Sequence, residues 1–114
     1  MNMDLKKIHD RCMSQPGAEV TYPFGPTPVC YKLHGKIFAM FFHEWQDPII
    51  TLKCQKDANI PLRALFPDHI IRAYHLSDAH QPYWFSVRIK GFPEEVLLQL
   101  IDEAYDALRS SIIK

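Results

Sequence analysis

The sequence predicts an α+β fold in two layers, an antiparallel sheet with helices on one face, and three observations predict it. The runs Val29 to Phe42, Ile49 to Lys53 and Tyr83 to Lys90 are rich in the β-branched and aromatic residues that suit a pleated surface. The stretch from Pro93 to Leu108 repeats its apolar residues at helical spacing. The charges are sorted between these segments. The helical stretch holds Glu94, Glu95, Asp102, Glu103 and Asp106 and no base, whereas the strand runs hold Lys32, Lys36, Lys53, Arg88 and Lys90 and no acid. A helix covering one face of the sheet, with bases on the other, makes a neutral chain of 13 basic and 13 acidic side chains into a dipole. The local field, not the net charge, then steers a partner.

The elements follow in order. Asp4 to Met13 reads as a short amphipathic helix, with Leu5, Ile8 and Cys12 on one face. Gln15-Pro16-Gly17 stops it, and Thr21 to Pro28, with Pro23, Gly25, Pro26 and Pro28, is an irregular connector. Val29 to Leu33 and Lys36 to Phe42 flank His34-Gly35, a two-residue hairpin turn. Glu44 to Pro48 is a second turn leading into the strand Ile49 to Lys53. Asp57 to Phe66 is a helix if Pro61 falls in its first turn, with Asn59 as the N-cap. His69 to Tyr74 is a short strand, His75 to Pro82 a polar loop, and Tyr83 to Lys90 a strand with Phe85, Val87 and Ile89 on one face. Gly91-Phe92-Pro93 starts the last helix, whose stripe is Leu97, Leu100, Ile101, Ala104, Tyr105 and Leu108, with Arg109 and Lys114 near its end. The order is α-β-β-β-α-β-β-α in a single domain, residues 1–114.

Composition narrows the function classes. At 47 % hydrophobic and 23 % charged residues the chain has ordinary globular values, which exclude wholesale disorder. The first ten residues are too polar for a signal peptide, and no run approaches the roughly 18 apolar residues of a membrane span. Cys12, Cys30 and Cys54 form neither a disulfide framework nor a zinc pattern, which suits a reducing cytoplasm.

Alternation along the strands gives the outer face. Cys30 with Lys32, Thr51 with Lys53, and Trp84, Ser86, Arg88 and Lys90 fall opposite their apolar neighbours. Lys36 to Phe42 is apolar on both faces after its lysine, as expected of a central strand with some cover, so the outer face is mixed and not a uniform basic plate.

Read together, Tyr22-Pro23-Phe24-Gly25, Gly35-Lys36-Ile37-Phe38-Ala39, Leu52-Lys53-Cys54, Phe66-Pro67, Tyr74-His75-Leu76, Trp84 and Leu100-Ile101-Asp102-Glu103-Ala104-Tyr105 resemble the MmcQ/YjbR family in order and spacing. The resemblance runs from about Leu5 to Leu108. It implies a compact domain with a CyaY-like or secretion-chaperone-like sheet, and DNA binding through a "double wing" of strands and loops. The chain departs from the family in two places. The loop Ser77 to Tyr83 carries an acid and no lysine, and Ala104 stands where the family usually has serine before the final tyrosine.

The residues with chemistry to offer are few. Lys32, Lys36, Lys53, Arg88 and Lys90 can neutralise phosphates, and aromatic rings such as Trp84 or Tyr31 can stack on unpaired bases. Tyr74 and His75 flank the long polar loop and join the candidate nucleic-acid-binding set, with His75 expected to order that loop through a hydrogen bond. His69, His75 and His80 match no HExxH or closely spaced Cys/His signature, so no metal and no cofactor are predicted. Cys54, between a strand and a helix, is read as a buried, inert thiol. Glu94 and Glu95 are first-turn residues that complement the helix dipole. No catalytic motif is present, and the reading is of a non-enzymatic protein that binds DNA or another polyanion. The alternative is a protein- or peptide-interaction domain using the open sheet or its groove. No membrane role is implied, and a monomer is favoured.

Overall fold

A computed structural model describes residues 5–113, with the side chain of residue 113 excepted; the predicted helix start at Asp4 and the terminal Lys114 lie outside these. The elements are α1 (Leu5–Met13), β1 (Glu19–Thr21), β2 (Val29–Leu33), β3 (Lys36–Phe42), β4 (Ile49–Lys53), α2 (Asn59–Leu65), β5 (Ile70–Ile71), β6 (Trp84–Arg88) and α3 (Glu94–Ile113). The six strands form one antiparallel sheet in the order β1-β2-β3-β4-β6-β5. The predicted order is present, with β1 added at one edge ahead of β2.

The β2–β3 hairpin closes where expected. His34 and Gly35 take φ of 51° and 78°, the pair of positive values that matches a tight turn to the strand twist. Tyr31 pairs with Ala39 but Lys32 pairs with Ile37. Phe38 is therefore an extra residue, a β-bulge, and both Phe38 and Ala39 are fully buried. The Phe38 ring meets the Tyr105 ring edge-on at 5.6 Å, which ties β3 to α3.

The inner face of the sheet is made by Tyr31, Ala39, Leu52 and Phe85 in one row and Val29, Phe41, Ile50, Val87 and Ile70 in the next, so Tyr31 is fully buried in the core and offers no ring for a base to stack on. The stripe of α3 lies on it, with Leu97, Ile101 and Ala104 fully buried. Helix α1 packs on α3 through Ile8 and Cys12. The Arg11 guanidinium grips Asp102 with two bonds, 2.9 Å from Nε and 2.8 Å from Nη2, and Gln15 Nε2 adds a third at 2.7 Å. These bonds, the Arg11 one foremost, hold the Asp102 carboxyl below the usual carboxylate range. The acidic helix is thus partly neutralised by α1, since Lys7 also reaches Glu94 at 3.2 Å.

Several elements differ from expectation. Strand β5 is two residues long and not six, because the chain from Arg72 onward leaves the edge to cross the outer face. Helix α2 begins at Asn59, so Pro61 does fall in its first turn, but the preceding position is Ala58 and no side chain caps the helix. Asn59 is buried and serves a different purpose, described below.

Candidate nucleic-acid interface

The antiparallel pairing of β4 with β6 places Lys53 opposite Trp84. The Lys53 ammonium lies 5.4 Å from the centre of the Trp84 ring and 5.7 Å from that of Tyr83, within the range of a cation–π contact. Burial holds the Lys53 ammonium below the ordinary lysine range, opposed by the neighbouring Cys54 and reinforced by the nearby Lys36 charge. Lys32 stands on the same outer row, opposite Ile37, and Lys36 is exposed at the rim, closing the hairpin against Leu33. Glu19 faces Lys32 in register. Among the described residues, Lys32, Lys36 and Lys53 form no salt bridge. Lys53 and the two rings therefore meet at one end of the sheet, with Lys32 and Lys36 carried to the same end by β2 and β3 and none of the three lysines in a salt bridge.

This end is built by bonds far apart in sequence. The Asn59 carboxamide donates to the carbonyls of Gln81 and Trp84 at 2.8 and 2.7 Å. Cys54 N–H donates to Tyr83 O at 2.8 Å and Asp57 N–H to Pro82 O at 2.7 Å. A 3₁₀ turn at Gln81–Tyr83 leads into β6, so the polar loop ends one residue later than expected and Trp84, not Tyr83, begins the strand. Helix α2 thereby fixes the backbone that carries both rings.

The middle of the outer face is covered. Cys30, Met40, Thr51 and Ser86 lie side by side across four strands, and Cys30, Thr51 and Ser86 are fully buried. The Thr51 and Ser86 hydroxyls are 2.7 Å apart, and Ser86 Oγ accepts the Tyr74 N–H at 2.9 Å. The Tyr74 ring meets Phe42 and Trp45 edge-on at 5.5 and 4.8 Å. Tyr74 therefore covers part of the outer face beyond β3 and β4, which is the cover expected of a central strand.

His75 takes a left-handed φ of 61° and leaves its ring exposed, 4.0 Å from the Tyr74 ring. The loop-ordering bond expected of it is made by Gln81. Gln81 Oε1 accepts the Ala73 N–H at 2.9 Å, while Nε2 donates to Ala73 O at 3.0 Å and Leu76 O at 2.9 Å. Among the described residues the exposed His75 ring makes no hydrogen bond and lies against the Tyr74 ring instead.

At the far end of β6 the bases sit in another setting. Trp84 and Arg88 are four residues apart, roughly 13 Å along a strand rising ~3.3 Å per residue. Arg88 binds Asp47 through Nη2 at 3.0 Å and Nε at 3.1 Å. Arg88 and Lys90 line a cleft of about 530 Å³ together with Asp47 and Asp68, so two acids balance two bases. The five strand bases thus divide into two groups, with the aromatic cover between them.

Other polar candidates have local explanations. His69 Nε2 donates to Lys90 O at 3.0 Å, and His80 Nδ1 bonds Ser77 Oγ at 2.9 Å. Among the described residues no three His, Cys, Asp or Glu side chains are grouped to hold a metal ion, and no helix is long and apolar enough to cross a membrane. Burial pushes the Cys54 thiol up to about 11, against smaller opposing effects, so the helix that follows does not activate it. Sequence reasoning missed Tyr83 as a ring of the lysine cluster, and Asn59 and Gln81 as its supports. Only the pairing of β4 with β6, which alternation alone does not specify, could have revealed them.

Comparison with known proteins agrees with this architecture. The chain is 26 % identical over 117 residues to the uncharacterized protein YbdF of Escherichia coli O157:H7, covering 98 % of this chain and 93 % of that one. Its fold is similar to the crystal structure of Deinococcus radiodurans protein DR2400, with its DUF419 domain, at a TM-score of 0.77 and 22 % identity over 89 % of this chain and 75 % of that one. A Pseudomonas syringae protein of known structure is similar at a TM-score of 0.67 and 16 % identity, covering 90 % of this chain and 96 % of its own. The YjbR family model matches residues 13–107, a span that holds every strand, both supports of the lysine cluster and most of α3, and the chain belongs to the YjbR family.

Proposed function

We propose that the protein binds single-stranded nucleic acid, weakly and with little sequence preference, at the end of the sheet formed by Lys32, Lys36, Lys53, Tyr83 and Trp84. The observation that carries this reading is the Lys53 ammonium against two aromatic rings, with Lys32, Lys36 and Lys53 in no salt bridge among the described residues. Phosphates need cations, and unpaired bases need π-faces on which to stack. This sheet end offers both, and among the described residues it presents no helix to a duplex groove. Phosphate contacts position a strand without reading it, so sequence preference is slight. Arg88 and Lys90, being balanced by Asp47 and Asp68, contribute little.

The test is a titration with labelled single- and double-stranded oligonucleotides across a salt series, using Trp45→Phe so that Trp84 alone reports. Single strands are expected to quench Trp84 with a Kd of roughly 10⁻⁴ to 10⁻⁶ M. Affinity should fall with salt at a log–log slope of about −2, the value for three contacts on a single strand. Lys32→Glu with Lys36→Glu should abolish binding. No binding of either oligonucleotide at low salt, or equal binding by the double variant, rejects the reading.

A further inference from the structure

The edge of the sheet opposite β1 carries a surface that the lysine cluster does not use. Strand β5 is the last in the sheet and is bonded to β6 alone. The His69 carbonyl accepts the Arg88 N–H at 2.7 Å, and Ile70 pairs next with Val87. Bonded and non-bonded pairs alternate along an antiparallel ladder, so Ile70 turns its own N–H and C=O away from β6. Phe66 O accepts that N–H at 2.8 Å, and the Ile70 carbonyl is left directed out of the sheet edge.

Beside this edge α2 shows water two large apolar side chains, Ile60 at 61 % and Leu65 at 71 % exposure. Ile60 and Ala64 are one turn apart and share a helix face. With Pro67 and Ile71 they line a groove of about 640 Å³, whose charged walls are Arg63 and Arg72. Arg63 forms no ion pair among the described residues, and Arg72 pairs only with the exposed Asp78, a contact of little worth. Apolar exposure next to an unpaired strand edge is what soluble proteins otherwise avoid.

We propose that this groove binds an extended acidic and apolar segment of a partner protein. The segment lies along β5 with one backbone N–H on the free Ile70 carbonyl, its carboxylates on Arg63 and Arg72 and its apolar side chains against Ile60, Pro67 and Ile71. Charge complementarity selects an acidic segment, since no acid lines the groove. The chain itself does not supply one well. The acids of α3 are helical and its apolar stripe is buried. Strand β1, with Glu19 and Val20, is extended, but adding β1 of one copy to β5 of the next is head-to-tail and does not close.

The probe is a short synthetic peptide in which glutamate alternates with valine, together with a counterpart that carries lysine in place of glutamate. Amide NMR shifts of the labelled protein are followed during titration. The acidic peptide is expected to move resonances between Ile60 and Arg72 and to leave those around Lys53 and Trp84 unmoved. Arg63→Glu with Arg72→Glu should weaken it at least about tenfold and favour the lysine peptide instead. Ile60→Ser, at an exposed position, should weaken the acidic peptide without giving any preference for the lysine peptide. The proposal is overturned by no shifts at millimolar peptide, by shifts confined to the Lys53 end, or by unchanged affinity in the arginine variant. Concentration-dependent shifts at the same amides without peptide also overturn it, because the occupant is then a second copy.

Discussion

The two ends of β6 carry similar residues and have different electrostatics. At one end Lys53 lies over Trp84 and Tyr83 among lysines that form no ion pair; at the other Arg88 is held by Asp47 and Lys90 shares a cleft with two acids. In the sequence both read as bases on alternating strand positions. The difference comes from what the neighbouring loop brings. The turn before β4 supplies Asp47 and the turn before β5 supplies Asp68, whereas the turn before β6 supplies Tyr83. A base becomes available to a polyanion when its neighbours are rings, and is withdrawn when they are carboxylates.

The largest expected effect breaks both ends together. Ile101 is fully buried beneath the sheet, so Ile101→Ala should cost about 2 to 5 kcal/mol. Denaturation followed by fluorescence and by circular dichroism should show one coincident transition. A loss under about 0.5 kcal/mol, as at a surface site, contradicts the packing of α3 described above.

A smaller change should separate the ends. Asn59→Ala removes the two donors that hold the Gln81 and Trp84 carbonyls, at a cost of about 1 to 3 kcal/mol for buried acceptors left unpaired. In a Trp45→Phe background, Trp84 emission should shift to the red while amide shifts near Arg88 stay in place. Equal disturbance at both ends would mean that the Lys53 end is not separately supported. The smallest effect belongs to Arg88→Ala. Its pair with Asp47 is about half exposed, with side chains at 49 % and 46 %, so the loss should be about 0 to 1 kcal/mol and shrink with salt. Oligonucleotide affinity should not change, and a tenfold fall would join the two groups of bases into one surface.

What the sequence made legible was local. The β2–β3 hairpin, β4 and the stripe of α3 each follow from periodicity and turn residues within one short segment. Strand β1 was missed because three residues are too few for alternation to be diagnostic; Glu19, Val20 and Thr21 are strand by pairing with Lys32, Tyr31 and Cys30. Asn59 has the composition of a helix cap, but its amide is drawn inward by carbonyls over twenty residues away. The candidate site was legible as a set of residue types and not as a place. Lys53 meets Trp84, and Arg88 meets Asp47, only through long-range pairing of β4 with β6 and of the turns at its end. Periodicity and turn residues supplied the fold class, the family resemblance agreed with it, and the arrangement of charge had to come from the structure.

The Gln81 side chain has a consequence for how this protein can vary. Toward Ala73 it presents one acceptor and one donor to the backbone N–H and C=O of a single residue, as a neighbouring strand would. A side chain that stands in for a peptide unit has no conservative substitute. Asparagine is one methylene too short, glutamate keeps the acceptor and loses both donors, and methionine keeps the length and loses everything polar. Position 81 therefore accepts one letter of the alphabet as long as the segment from Ala73 to Leu76 lies over the sheet, and lineages that changed that letter would have had to rebuild the segment with it.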